Sequence, residues 1–173
     1  MAATVAIIHD NGTGPTENDI TGATLTFDAS DSSNTTGDTS SPIQIPDAGS
    51  AYSHWRATKL KVTGGTFTRV DTIRWYTDGA NGLGTGLTLN VATSSAYTQA
   101  DGSELNDTNY SGGSLSTPAD AFTYSDGSEL NVNGVLNASG DTSDYVVLQL
   151  AVDSTASPGT SSSETITWKY DEV

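Results

Sequence analysis

The chain has 173 residues, no cysteine and a formal net charge of −15 at pH 7. These properties exclude disulfides, a thiolate metal site and a cysteine nucleophile. They also argue against nucleic-acid binding, which needs clustered Lys and Arg residues. No apolar run approaches the length of a membrane-spanning helix, so we expect neither nucleic acid nor a membrane as a partner. The length fits one domain, residues 1–173, with a core of its own.

The first ten residues, Met1 to Asp10, lead directly into a strand-like segment rather than a secretory leader with a basic start and a long apolar run. The rest of the chain is rich in Ser, Thr, Gly, Asn and Asp and poor in Lys, a composition typical of exterior β-proteins. We therefore expect a protein that is made in a host cytoplasm and works on an exterior surface, as virion proteins do.

Segments rich in β-branched and apolar residues, bounded by turn-forming clusters, predict strands along most of the chain. No segment shows a sustained helical period with caps. We predict an all-β fold, an antiparallel β-sandwich of about eight or more strands, with jelly-roll connections as one option. The clearest predicted strands are Thr4 to Ile8, Ala23 to Phe27, Pro42 to Ile45, His54 to Val62, Thr66 to Tyr76, Leu87 to Ala92, Tyr145 to Val152 and Thr165 to Tyr170.

The longest predicted strands, His54 to Val62 and Thr66 to Tyr76, read as a pair joined by a hairpin at Gly64-Gly65. Strict alternation in the second strand puts Val70 and Ile73 on opposite faces. Because both are apolar, this phase slip predicts a bulge or break near Asp71-Thr72.

The segment from 94 to 140 has few bulky apolar residues and predicts a long polar loop insertion or protrusion. It contains an internal echo, because Ala96 to Asn106 matches Ala121 to Asn131 at an offset of 25 residues. Two copies are too few for a solenoid. The echo fits two similar turns, in which Asp-Gly supplies the tight geometry and Leu the anchor.

The basic residues are concentrated in one part of the chain. Five of the six fall within 19 residues: Arg56, Lys59, Lys61, Arg69 and Arg74. Two interpretations are open for these five residues. They can lie on a pair of neighbouring strands and neutralise nearby Asp residues, or they can form a docking face for an acidic partner surface.

Calcium binding is the metal chemistry that the sequence offers. Asp101, Asp107 and Asp126 lie in turn-like segments and carry the oxygen ligands that calcium prefers. Their spacing lacks the order of a helical calcium loop, and Asp-rich turns in acidic β-proteins are usually solvated turns. We therefore predict no metal or other cofactor, with calcium at these residues as the alternative.

We predict no enzymatic activity, because the sequence lacks a recognisable catalytic pattern. There is no Gly-x-Ser-x-Gly elbow, and the carboxylates lie mainly in polar turns rather than in desolvated pockets. The glycine-rich loop at 79–86 lacks the Gly-Lys-Ser/Thr of a phosphate loop. Sugar binding stays open, since Trp55, Trp75 and Trp168 supply aromatic surface, although the last two lie in strands that predict burial.

Two stretches of the sequence resemble structural proteins of tailed bacteriophages. Trp55 to Gly79 contains a Lys-rich strand, the run Thr-Gly-Gly-Thr-Phe-Thr, an Ile-Arg-Trp-Tyr strand and the start of a glycine-rich loop ending in Leu-Gly-Thr-Gly. Thr165 to Val173 is similar to the last strand of such a protein. The resemblance implies a virion β-sandwich on the capsid surface or in the tail, and it supplies no functional residues.

Together with the composition, this resemblance predicts a capsid decoration protein that cements the outer surface of a tailed-phage head. The expected partners are the major capsid protein or other virion proteins, and a homo-trimer would match the local symmetry of an icosahedral shell. Two alternatives stay open, a tail or fibre-associated virion protein and a carbohydrate-binding or adhesin module.

Overall fold

The computed structural model describes residues 2–31, 40–101 and 116–173. Within these ranges the chain forms ten β-strands in two antiparallel sheets, which confirms the predicted all-β fold and is consistent with a β-sandwich. The same residues contain a single 3-10 turn, Ala121–Thr123, and no helix long and apolar enough to cross a membrane. The strands are β1 (Ala3–Asn11), β2 (Thr16–Asp19), β3 (Ser50–Tyr52), β4 (Arg56–Gly65), β5 (Val70–Tyr76), β6 (Leu87–Ser94), β7 (Ala119–Asp120), β8 (Leu130–Asn131), β9 (Tyr145–Asp153) and β10 (Thr167–Glu172).

The larger sheet has seven strands in the order β2-β1-β4-β9-β6-β7, and β3 also pairs with β9. The smaller sheet has three strands in the order β10-β5-β8. In the larger sheet β4 and β9 are central, and side chains on both faces of these strands are buried along most of their length. Jelly-roll connectivity is not confirmed by this strand order.

The predicted hairpin between β4 and β5 is wrong, because the two strands lie in different sheets. Gly65 ends β4 beside Ala3 of β1 and has a φ of +99°. A Cβ at Gly65 would stand 2.8 Å from the Cα of Ala3. The glycine therefore permits close contact with β1, and the chain then crosses to the smaller sheet before β5.

The predicted irregularity in β5 is confirmed. The pairing with β10 shifts register between Lys169 and Asp171, opposite Arg74 and Asp71. Within that interval Thr72 has a φ of +53°, the one positive value at a non-glycine residue in the part of the chain described. The bulge lets both Val70 and Ile73 reach the core, where each is 0% exposed.

The core lies between the sheets and includes part of the segment that we expected to protrude. Leu60, Val62, Val146 and Leu148 of the larger sheet pack with Trp75 of the smaller one. The cluster also includes four residues between positions 116 and 140: Ala121, Phe122, Val132 and Leu136. The described part of this segment is rich in loops, with two strands of two residues each, and its few apolar side chains point inward and complete the core.

The second copy of the internal echo forms the expected turn. Gly127 has a φ of +88°, and the amide of Ser128 donates to the carbonyl of Ser125. Leu130 packs against the core as the predicted anchor. The first copy is described only as far as Asp101, so the Asp-Gly turn expected there lies outside the described residues.

Two predicted strands, Ala23 to Phe27 and Pro42 to Ile45, have no strand structure. The carbonyl of Thr26 accepts a hydrogen bond from Nε of Arg56 at 3.0 Å. In the segment Ala23 to Phe27, part of the backbone hydrogen bonding is thus satisfied by a side chain instead of by a neighbouring strand.

Candidate functional site

Four polar side chains form a row across four neighbouring strands on the outer face of the larger sheet. The row consists of Glu17 on β2, Asp10 on β1, Lys59 on β4 and Tyr145 on β9. Lys59 Nζ donates to Asp10 Oδ2 at 2.6 Å, to Glu17 Oε1 at 2.9 Å and to the Tyr145 hydroxyl at 3.2 Å. The Tyr145 hydroxyl donates to the same Asp10 oxygen at 2.7 Å.

The centre of the row is removed from solvent, although it lies on an outward sheet face. The side chain of Asp10 is 0% exposed and that of Lys59 is 7% exposed, whereas Glu17 at the edge is 37% exposed. Residues after β6 help to cover the row. The ring of Tyr97 lies 6.2 Å from the ring of Tyr145, and its hydroxyl donates to the carbonyl of Gly12 at 3.0 Å.

The hydrogen bonds in this row determine the protonation states. Burial alone would lower the pKa of Lys59, but hydrogen bonds to Asp10, Glu17 and Tyr145 outweigh it and raise that pKa. Burial, together with the hydrogen bond to Asp10, raises the pKa of Tyr145 to about 12. Hydrogen bonds from Lys61 and Lys59 lower the pKa of Glu17. Lys59 is therefore a cation at pH 7, and Tyr145 is a neutral phenol.

One atom of the row is left unsatisfied. Oδ1 of Asp10 is buried and has no hydrogen-bond partner among the described residues, while Oδ2 accepts from both Lys59 and Tyr145. A buried carboxylate oxygen without a partner is destabilising by about 1–3 kcal/mol or more. In this row the amino group of Lys59 thus contacts the carboxyl group of Asp10, one oxygen of which lacks a hydrogen bond, in a site that excludes most water.

A second buried ion pair lies on the inner face of β4. The side chain of Arg56 is 1% exposed, and its Nη2 donates to Asp28 Oδ1 at 2.8 Å. Its Nη1 also donates to the carbonyl of Ser30 at 3.1 Å. His9 is nearby on β1 and is 1% exposed. Burial and the charge of Arg56 lower the pKa of His9 to about 4, so its ring is neutral at pH 7.

The structure separates the five basic residues that the sequence suggested as a docking face. Arg56 and Lys59 are buried in ion pairs, and Lys61 pairs with Glu17. Arg69 is 47% exposed and pairs with Asp71 at 2.5 Å, while Arg74 lies on β5 in the other sheet. Four of the five thus pair with nearby carboxylates, three of them with Asp residues, although β4 and β5 are not neighbouring strands. Direct docking can involve only Lys61, Arg69 and Arg74, for which it stays a prediction.

Two of the three calcium candidates, Asp101 and Asp126, lie within the described residues and are not part of a metal-binding group there. Asp101 is exposed, and the exposed carboxylate of Asp126 lies 3.8 Å from Lys169 Nζ. Asp107 lies outside the described residues. Across the described ranges, no group of three or more His, Asp or Glu side chains is arranged to hold a metal ion.

A cleft of about 1280 Å³ opens between the sheets at one end of the sandwich. Trp75 and Trp168 form part of its wall, and the hydroxyl-rich segment 157–165 forms part of its rim. Trp75 is 0% exposed, as its strand position predicts. Its indole nitrogen has no hydrogen-bond partner among the described residues. Of the two tryptophans, only the partly buried Trp168 can therefore present aromatic surface to the cleft, next to the hydroxyl groups of the rim.

Sequence reasoning singled out Lys59 but not its partners. Asp10, Glu17 and Tyr145 come from strands distant in sequence, and only the β2-β1-β4-β9 strand order aligns them. One signal was available, because alternation places Asp10 on the same face as Ala6 and Ile8. A carboxylate that continues an apolar face indicates a buried acid that needs a cation.

Comparison of this chain with protein-family models, with curated proteins and with solved structures finds no match.

Proposed function

We propose that the protein is a structural component of a tailed-phage virion, and specifically a decoration protein on the outer surface of the head. The observation that carries this proposal is the position of the two phage-like stretches. Trp55 to Gly79 contains β5, and Thr165 to Val173 contains β10. These strands pair with each other from Thr167–Tyr76 to Glu172–Val70. Two stretches that are far apart in sequence thus form one continuous surface of the smaller sheet.

This surface carries two cations that face outward. Arg74 and Lys169 are direct cross-strand partners, and because their neighbours Trp75 and Trp168 face the interior, both cations face outward. The Lys169 side chain is 54% exposed and also contacts Glu129 at 3.0 Å. We name Arg74 and Lys169 the β5–β10 patch. It is a small basic area on a protein of net charge −15, suited to an acidic surface of the major capsid protein.

Decoration would work through many weak contacts. A patch of two cations gives a weak single contact, since exposed ion pairs are worth about 0–1 kcal/mol each. A homo-trimer on a local symmetry axis would present three such patches at once, and simultaneous contacts raise the effective affinity without any new interaction. The sandwich acts in this proposal as a rigid spacer between capsid subunits.

The β5–β10 patch can be tested by adding purified protein to particles from which it is absent. We expect the double variant Arg74→Gln/Lys169→Gln, which removes two positive charges, to bind with a markedly lower occupancy. The matched control Ser154→Glu/Ser157→Glu changes the net charge equally at exposed positions outside the patch and should bind as the wild type does. Equal loss in both variants would indicate a general charge effect and contradict specific docking through the patch.

The cleft supports a second candidate function, a carbohydrate-binding or adhesin module. Aromatic surface beside hydroxyl groups is a feature that sugars bind, and Trp168 provides that surface here, while Trp75 lies fully buried. Screening the protein on a glycan array tests this candidate. A glycan that binds the wild type but not Trp168→Ala would favour it, whereas no binding to any glycan would count against it.

A further inference from the structure

We propose that Lys59 and Asp10 become joined by an intramolecular amide bond after the protein folds. The reacting groups are already in contact, because Lys59 Nζ lies 2.6 Å from Asp10 Oδ2. Both belong to adjacent antiparallel strands, with Lys59 opposite Ile8 and Asp10 opposite Ala57. The sheet therefore holds the amine beside the carboxyl group in every folded molecule.

This arrangement makes the reaction intramolecular and oriented. A nitrogen that is hydrogen-bonded to one carboxylate oxygen lies close to the carboxyl carbon, near the roughly 3–3.5 Å separation of a near-attack geometry. Groups held in this way can react as though each were present at a very high concentration. An amide that does not form between free Lys and Asp in water becomes accessible in such a site.

The neighbouring side chains supply the proton transfers that the reaction needs. Glu17 Oε1 lies 2.9 Å from Lys59 Nζ, and Glu17 is the direct cross-strand partner of Asp10. Glu17 is therefore placed to take a proton from the ammonium group and pass it to the Asp10 carboxyl group. The raised pKa of Lys59 and the lowered pKa of Glu17 make this transfer unfavourable in the resting row, which makes the reaction slow. The Tyr145 hydroxyl, 2.7 Å from Oδ2, stabilises the negative charge that this oxygen gains when Nζ attacks the carbon.

The atoms and charges of the reaction balance without any other reactant. Nζ forms a bond to Cγ of Asp10, and the bond between Cγ and Oδ1 breaks. Two protons of the ammonium group move to Oδ1 through Glu17, and that oxygen leaves as water. The product is a neutral secondary amide that keeps Oδ2 as its carbonyl oxygen and one hydrogen on Nζ, and Glu17 returns to its starting form.

The surroundings favour the product over the ion pair. Removing two charges from water is costly even when they attract each other, and the amide removes both charges. It also eliminates Oδ1, the oxygen that has no partner among the described residues. Since the Asp10 side chain is 0% exposed, little water reaches the bond to hydrolyse it. The ion pair is the resting state before reaction, so we expect a slow step that follows folding.

The mass of the purified full-length protein, measured under denaturing conditions, tests the proposal directly. We expect a mass about 18 Da below that of the sequence, equal to one lost water. After trypsin digestion, Met1–Arg56 should be linked to Ala57–Lys61, because modified Lys59 is no longer a cleavage site. A wild-type protein that keeps its full mass after prolonged incubation in the folded state would overturn the proposal.

Two variants distinguish this bond from other losses of water. Asp-Gly sites such as Asp126-Gly127 can also lose water by forming a cyclic imide, and that loss would persist in Asp10→Ala. Full mass in Asp10→Ala, together with the linked peptide in the wild type, supports the amide. Glu17→Gln keeps both reacting groups and alters a partly exposed residue, so it should fold and form the bond more slowly. A mass loss unchanged in Asp10→Ala would contradict the assignment.

Discussion

The buried cation of Arg56 provides a severe test of the packing between the sheets. Its guanidinium group binds Asp28 Oδ1 at 2.8 Å and the carbonyls of Thr26 and Ser30 at 3.0 and 3.1 Å. Asp28 in turn accepts hydrogen bonds from the amide and hydroxyl of Ser30. The variant Asp28→Ala removes the negative charge and leaves Arg56 in place.

The expected loss of stability is large because the remaining charge stays buried. The Arg56 and Asp28 side chains are 1% and 3% exposed, so solvent cannot replace the missing carboxylate. Breaking such a pair by removing one partner costs about 3–5 kcal/mol. For a domain of this size that corresponds to a fall in Tm of roughly 6–20 °C. The double variant Asp28→Ala/Arg56→Met should cost less, because it removes both buried charges instead of leaving one without its partner.

The assay is equilibrium unfolding in urea, followed by tryptophan fluorescence. Asp47→Ala is the matched control, since Asp47 is exposed and the same chemical change there should alter the free energy of unfolding by no more than about 0.5 kcal/mol. A loss below about 1 kcal/mol in Asp28→Ala would refute the reasoning. It would mean that Arg56 reaches water or another partner when its carboxylate is removed.

Three further predictions concern the pH dependence, the β4 terminus and the core. Burial and Arg56 lower the pKa of His9 from 6.5 to about 4, so the unfolded chain binds the extra proton first as the pH falls. The free energy of unfolding should therefore fall by about 3 kcal/mol between pH 6.5 and 4. Unfolding titrations of His9→Gln should lack that slope, and an unchanged slope would contradict this assignment. Gly65→Ala should cost about 2 kcal/mol or more of stability, because Gly65 has a positive φ and lies against Ala3. A Cβ at Gly64 would meet nothing within 4 Å, so Gly64→Ala should change stability little. Equal changes in Tm for the two variants would refute this reasoning. Leu136 is 1% exposed, and Leu136→Ala should cost about 2–5 kcal/mol of stability. The adjacent Val135 is 59% exposed, and Val135→Ala should cost less than about 0.5 kcal/mol. Similar small effects of both variants in urea unfolding would contradict the packing of this segment into the core.

The fold class was predictable because alternation and turn chemistry are local signals. The phase of Val70 and Ile73 was sufficient to locate the bulge at Thr72, since both residues must reach the core. The crossing from β4 to the other sheet at Gly64-Gly65, in place of the expected hairpin, was not predictable in this way. A glycine pair reads the same whether it closes a hairpin or permits contact with another strand, and only the position of β1 distinguishes the two.

The candidate site was less accessible from the sequence. Lys59 and Lys61 share the outward face of β4, and an outward lysine normally indicates a position in contact with solvent. Its burial depends on Asp10, Tyr145 and the covering residue Tyr97, which are brought together by strand order and by a segment after β6. Contacts between residues so distant along the chain produce no recognisable motif spacing in the sequence. The positive charge of Lys59 was therefore the only signal, and it suggested a docking role.

The proposal of a virion protein is tested most directly by quantitative mass spectrometry of purified particles from the source virus or lysogen. Our account predicts that the chain is present in numbers comparable with those of the major capsid protein, as a lattice-bound decoration protein must be. A few copies per particle would place it in the tail, neck or fibres. Its absence from particles would contradict the virion proposal and leave the sugar-binding cleft as the leading candidate.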